Sequence, residues 1–159
     1  MKLSAGEEYG LRCLLQIGRR QRETGGGLSI SEISHMEGLS APNVAKLMRL
    51  LRLGGFVESS RGQSGGYRLS QSADMIVVGD VLAALGGRMF DPEFCEDHAG
   101  REGLCTHSVD CSIRSLWTSV QSVIDQLLSR VTLDDLLGEE QAMDACMQNV
   151  TGELIQVSG

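Results

Sequence analysis

Apolar residues recur at helical spacing through most of the first half of the chain. Tyr9, Leu11, Cys13, Leu14, Leu15 and Ile17 give a broad apolar face, and Ser4 followed three residues later by Glu7 has the form of a capping box. A helix is therefore expected from Ala5 to Arg19. Arg19 to Gly27, with three consecutive glycines, reads as a loop. A second helix is expected to start after Ser29 or Ser31, to carry Ile30, Ile33 and Met36 on one side, and to end near Gly38. Gly38, Leu39 and Ser40 make a tight turn. Ser40 is placed to cap a third helix, with Pro42 in its first turn and Val44, Leu47, Met48 and Leu51 facing inward until Gly54 and Gly55. Phe56 and Val57 open a strand, Arg61 to Gly66 is a hairpin turn, and Tyr67, Arg68 and Leu69 return as the second strand. Helix, helix, turn, helix, hairpin is the order of a winged helix-turn-helix.

After Ser70 the register shifts. Val78 to Leu85 predicts a short helix closed by Gly86 and Gly87, and Arg88 to Asp110, poor in apolar residues, predicts a loop. A long helix is expected over Ser108 to Arg130. Its stripe of Ile113, Leu116, Trp117, Val120, Val123, Ile124, Leu127 and Leu128 is expected to form a dimer seam on so small a domain. Thr132 with Asp135 predicts a short last helix. No firm pattern follows Gly138. The expected fold is mainly α with a small β-hairpin wing. It divides into a winged-helix DNA-binding domain (1–87), a cysteine-bearing loop (88–110), a dimerisation helix with a short last helix (111–138), and a tail (139–159) for which disorder is the expectation.

Composition changes the picture in two ways. The net charge of −7 speaks against nucleic acid until its distribution is read. Residues 1–71 hold ten Lys or Arg against six Asp or Glu, whereas residues 72–159 hold four against fifteen. Binding depends on the local field, so the basic N-terminal half is free to meet phosphates. No run of eighteen apolar residues occurs, and the acidic pair Glu7–Glu8 stands where a signal peptide would be apolar. A reducing cytoplasm is expected, where five cysteines point to metal or thiol chemistry and not to a disulfide framework.

Recognition helices read base edges with their N-terminal residues, here Ser40, Pro42 and Asn43, with Lys46 and Arg49 a turn on. Asn43 suits adenine, Lys46 suits guanine or phosphate, and Arg61 in the wing suits a narrow minor groove. Cys95, Cys105 and Cys111 lie within seventeen residues, separated by nine and five others. Thiolates are the usual protein ligands of iron–sulfur clusters. Three are one short of a full set, which leaves the fourth contact to another residue, to solvent or to a partner subunit. Zinc held by Cys95, Cys105, His98 and His107 is an alternative, as is a metal-free switch between two loop thiols. Cys13 reads as a small core residue, and Cys146 has no evident partner. No nucleophile–base pair, phosphate loop or metalloprotease motif is present, so no enzyme and no small-molecule substrate are expected. A winged helix that docks a partner protein is the reading from another class.

From Met1 to about Leu137 the chain resembles the bacterial winged-helix iron–sulfur regulators that include IscR, NsrR, RirA and RsrR. The residues that carry the likeness are Met1-Lys2-Leu3-Ser4 with Tyr9, Leu39-Ser40 through Leu51, and Gly55-Phe56-Val57. Further along come the wing Arg61-Gly62-Gln63-Ser64-Gly65-Gly66-Tyr67-Arg68-Leu69, Cys111-Ser112-Ile113-Arg114-Ser115-Leu116-Trp117, and Val131-Thr132-Leu133. The resemblance implies a homodimer on a palindromic operator, more in the manner of a repressor, with affinity set by a cluster that senses redox state, nitric oxide or iron. The chain departs from IscR-like members in the longer first cysteine gap and in Arg114, where they have a histidine. Likeness to the RsrR branch implies a 2Fe-2S cluster held by Cys105, Cys111, Glu8 and His35. Likeness to NsrR or RirA implies a 4Fe-4S cluster on Cys95, Cys105 and Cys111, with Glu8 or solvent as fourth ligand. The plainer readings are that Glu8 favours the positive end of its helix and that His35 is a surface or a satisfied core residue.

Overall fold

A computed structural model of the chain describes residues 4–60, 65–88, 90, 94–97, 105 and 110–157. Helix α1 spans Ala5–Thr24, α2 Ile30–Glu37 and α3 Ala41–Leu53. Strands β1 (Val57–Ser60) and β2 (Gly66–Leu69) pair antiparallel, Val57 opposite Leu69 and Ser60 opposite Gly66. A 3-10 turn at Ala73–Met75 precedes α4 (Val78–Gly86). Then come α5 (Phe94–Asp97), α6 (Ser112–Leu128), α7 (Leu133–Leu136) and α8 (Glu140–Val157). The mainly helical chain with one two-stranded hairpin is the winged-helix arrangement read from the pattern.

Local chemistry sets the element starts. Ser4 and Glu7 form a full capping box at α1, Ser29 and Glu32 do the same at α2, and Thr132 and Asp135 at α7. Two apolar faces converge from α1 (Cys13, Leu14, Ile17) and α3 (Val44, Leu47, Met48, Leu51). Ile33, Phe56, Val57, Leu69, Val81 and Leu85 close the same core. The wing is tied down as a third, minimal strand. Leu28 and Tyr67 exchange both backbone hydrogen bonds, at 3.0 and 2.7 Å, and the Leu69 N–H reaches Gln21 Oε1 at 3.0 Å. Gly66 permits this closeness, since a Cβ there would stand 2.7 Å from the Leu28 carbonyl carbon at a φ of +147°.

The C-terminal elements return to the winged-helix half. Val78 N–H donates to Val131 O at 2.9 Å, Leu133 N–H donates to Ile76 O at 2.8 Å, and the Leu133 side chain is fully buried in the main core. Three boundaries differ from expectation. Helix α1 runs on to Thr24, because Arg20 to Thr24 contains no breaker before Gly25 takes the left-handed C-cap. Helix α6 starts at Ser112 and not at Ser108, with Cys111 as its N-cap. The expected loop after Arg88 contains the short α5.

The largest correction concerns the tail. Residues expected to lack structure form α8, with Val150 buried and Met143, Met147 and Leu154 half-buried at helical spacing. An ion pair from Arg130 to Glu153 at 2.6 Å fastens it to the end of α6. Among the described residues no helix is long and apolar enough to cross a membrane.

Candidate functional site

The placement of α3 is set by the turn at Gly38, whose φ of 65° reverses the chain between α2 and α3. Ser40 is the N-cap of α3 in extended conformation, but its hydroxyl makes no capping bond. Pro42 occupies the first turn. Ser40, Pro42, Lys46 and Arg49 are exposed and Asn43 is half-buried, while Val44, Leu47, Met48 and Leu51 of the same helix are buried. The polar edge of α3 is thus free and its apolar edge holds it. Arg61 lies outside the described residues.

The angle between α1 and α2 is fixed by a buried carboxylate. Glu37, its side chain 6 % exposed, accepts from Arg12 Nε at 2.6 Å and from Gln16 Nε2 at 2.7 Å, while Arg12 also donates to the Glu37 carbonyl at 3.2 Å. Glu8 lies one turn before Arg12, and His35 lies two residues before Glu37; both are exposed. The Arg12–Glu37 pair therefore holds together the helix segments that carry them. The N-terminus of α1 also abuts the end of α4. A Cβ on Gly86 would stand 2.6 Å from Glu7 Oε1, so the chain enters its cysteine-bearing segment beside the turn that bears Glu8.

Cys95 sits on α5 and Cys105 at an isolated described position, both half-buried, as is Cys111 at the N-cap of α6. Cys111 Sγ accepts the Arg114 N–H at 3.3 Å. Hydrogen bonds to sulfur are among the features that tune cluster thiolates. Cys13 is buried in the core, and burial with the nearby Glu37 carboxylate pushes its thiol up to about 11. His98 and His107 lie outside the described residues. Among the described residues no three His, Cys, Asp or Glu side chains stand together in a way that could hold a metal ion. In type the donors suit an iron–sulfur cluster, with three partly accessible thiols and one already taking an N–H bond.

The candidate seam of α6 is uncovered. Ile113, Leu116, Trp117 and Val123 are 42 to 59 % exposed, and Val120, Ile124 and Leu127 are half-buried. A contiguous apolar stripe of this kind marks an interaction surface. Between α4, α6 and the start of α1 lies a groove of about 680 Å³, walled by Leu82, Ile124 and Leu128 with Glu7, Arg88 and Asp125 at its polar margin.

Residues 3–139 match the sequence profile of a family described as Rrf2, iron-dependent transcriptional regulator. The chain belongs to the Rrf2 family of transcription regulators. It is 32 % identical over 144 residues to the HTH-type transcriptional regulator IscR of Pectobacterium carotovorum, covering 91 % of this chain and 84 % of that one. Protein rrf2 of Nitratidesulfovibrio vulgaris is 34 % identical over 137 residues, 86 % of this chain and 87 % of its own length. Among solved structures, T. potens IscR superposes with a TM-score of 0.65 at 30 % identity, covering 86 % of each chain. CymR of B. subtilis, described as its global cysteine regulator, also gives a TM-score of 0.65, at 28 % identity over 86 % of this chain and 96 % of that one. The oxidised form of Staphylococcus aureus CymR gives 0.63 at 25 % identity, covering 87 % and 98 %.

A transcription regulator of this family binds DNA. Four further residues of this Rrf2 chain escape the sequence reading. Phe90 N–H donates to the buried Gln121 Oε1 at 2.9 Å, Gln121 Nε2 donates to Asp125 Oδ1 at 2.8 Å, and Arg88 pairs with Asp125. The one sequence signal is a glutamine four residues beyond Trp117 beside an otherwise apolar stripe.

Proposed function

We propose that this Rrf2 regulator works as a cytoplasmic homodimer on a palindromic operator, chiefly as a repressor. Its affinity would follow the chemical state of Cys95, Cys105 and Cys111. The observation that carries this reading is Cys111 at the N-cap of α6: one thiol of the proposed sensing segment caps the helix with the uncovered apolar stripe. Ser40, Pro42, Asn43, Lys46 and Arg49 read the major groove and Arg61 the minor groove. Ile113, Leu116, Trp117, Val120, Val123, Ile124 and Leu127 meet their copies across the seam.

Cys105 and Cys111 are the shared ligands of either iron–sulfur arrangement. Glu8 and His35 complete a 2Fe-2S set, or Cys95 completes a 4Fe-4S set with Glu8 or solvent. A cluster held there supplies a redox- and nitric-oxide-reactive centre whose potential depends on its non-cysteine ligands. The chain's own part is to keep Glu8 and His35 on helices joined by Arg12 and Glu37, and to keep Cys111 in line with α6.

Protein purified without oxygen is expected to be coloured and to bind operator DNA with a steep salt dependence. About two iron and two sulfide per chain, lost in Glu8→Ala or His35→Ala, identify the mixed-ligand set. About four of each, dependent on Cys95, identify the other. A colourless protein after anaerobic reconstitution removes the cluster. The likeness to CymR, solved in an oxidised form, then favours the second reading, a metal-free thiol switch among the three partly accessible cysteines.

A further inference from the structure

Gln121 is buried and polar, and among the described residues it is the one buried residue of α6. Buried amides are kept only where both ends are satisfied. Here its oxygen takes the N–H of Phe90 at 2.9 Å, and its nitrogen donates to Asp125 Oδ1 at 2.8 Å. Asp125, one turn on, is held by Arg88. Arg88 and Phe90 belong to the stretch that leaves α4 and leads to Cys95. Phe90 is itself buried, and its ring meets that of Phe94, the residue before Cys95, at 5.9 Å between centroids. On its own helix Gln121 lies one turn beyond Trp117, beside the uncovered stripe. Cys95 is thus linked through Phe94 and Phe90 to Gln121, one helical turn from Trp117 of the uncovered stripe.

We infer that Gln121 is a positioning residue that couples the cysteine-bearing segment to the dimer helix, so that a change at the thiols alters α6 through the Phe90–Gln121 hydrogen bond. This rests on the reading of the preceding subsection, in which the state of those thiols sets operator affinity. Packing alone would be served by leucine at this position. What leucine cannot do is hold the Phe90 N–H and the Asp125 carboxylate together, and so relay a shift of the loop root into the helix.

The test compares two states of the full-length protein, anaerobically reconstituted with iron and sulfide and then treated with a chelator. Operator affinity is measured in each for wild type, Gln121→Leu and Arg88→Ala. The wild-type affinities are expected to differ by about tenfold or more. In Gln121→Leu, with iron content and dimer mass unchanged, the two affinities are expected to converge to within about twofold. Arg88→Ala, which loosens Asp125 at an exposed site, is expected to shrink the ratio part-way and serves if Gln121→Leu does not fold. A Gln121→Leu protein that keeps the full wild-type ratio overturns the coupling role and leaves the sensing reading intact. A wild type with equal affinities in both states overturns the sensing reading and the coupling with it.

Discussion

Arg12 of α1 grips Glu37 of α2 through both its side chain and its backbone, with the carboxylate almost wholly out of solvent. The same guanidinium lies 5.7 Å from the centre of the Tyr9 ring. One ion pair therefore sets how the first two helices present the third. Removing the cation leaves a buried carboxylate with only Gln16 to answer it. Arg12→Ala is expected to cost about 2–3 kcal/mol, below the usual range for a broken buried pair because Arg12 is 41 % exposed. Thermal unfolding should show a drop of roughly 5–10 °C. Arg12→Lys keeps the charge, loses the forked donors, and should fall between.

The second capping box makes stability depend on pH. The Ser29 backbone N–H and hydroxyl hold the Glu32 carboxyl below its ordinary 4.5, with a smaller contribution from Arg20. A depressed carboxylate contributes stability above its unfolded value and loses it as the pH falls through the native one. Wild type should exceed Glu32→Gln in stability at neutral pH. That difference should shrink as the pH drops below about 4.5 and vanish below the native midpoint, as followed by denaturant titration.

Thiol reactivity should divide the cysteines by place. Cys13, buried and pushed up to about 11, is expected to resist alkylation in the native metal-free protein at neutral pH. Cys95, Cys105, Cys111 and Cys146, all half-buried, should label. Mass spectrometry before and after unfolding would count them, and native labelling of Cys13 would contradict the packing of α1.

At Gly66 the wing has no room for a side chain. Gly66→Ala sets a Cβ against the Leu28 backbone at a φ of +147° and should cost at least roughly 2 kcal/mol. Operator affinity should fall as well, because the strand that moves carries the wing. Full operator affinity in Gly66→Ala would show that the wing's seating on Leu28 does not matter for binding.

Leu116 is 56 % exposed in one protomer, so its replacement by a charge should leave the protomer's own fold intact. Leu116→Asp is expected to sediment as a monomer with unchanged helical content and to lose operator affinity. A variant that stays dimeric would move the seam elsewhere.

Much of this was legible locally. Ser4 with Glu7 and Thr132 with Asp135 announce helix starts because the chemistry lies within four residues. Val44, Leu47, Met48 and Leu51 announce a buried edge because sequence spacing alone fixes it. Ser40 stands at its N-cap as its spacing predicts, yet its hydroxyl makes no cap bond, which spacing does not encode. Helix α8 is not anticipated by the reading of the tail, although Met143, Met147, Val150 and Leu154 follow helical spacing. Arg22 with Asp134 joins residues 112 positions apart, and Phe90 with Gln121 joins residues 31 apart. Such pairs arise from how elements pack, which local pattern does not reveal.

The paired strands of backbone at Val78–Val131 and Ile76–Leu133 give α6 the mechanics of a cantilever. Its far end is clamped to the winged-helix body, and its near end carries Cys111. A rod clamped in this way answers a push at its other end by changing angle. In the two-fold assembly proposed above, each rod's tilt would be doubled between the halves and would change the spacing of the two α3 helices, which a palindromic operator requires to be one helical repeat of DNA apart.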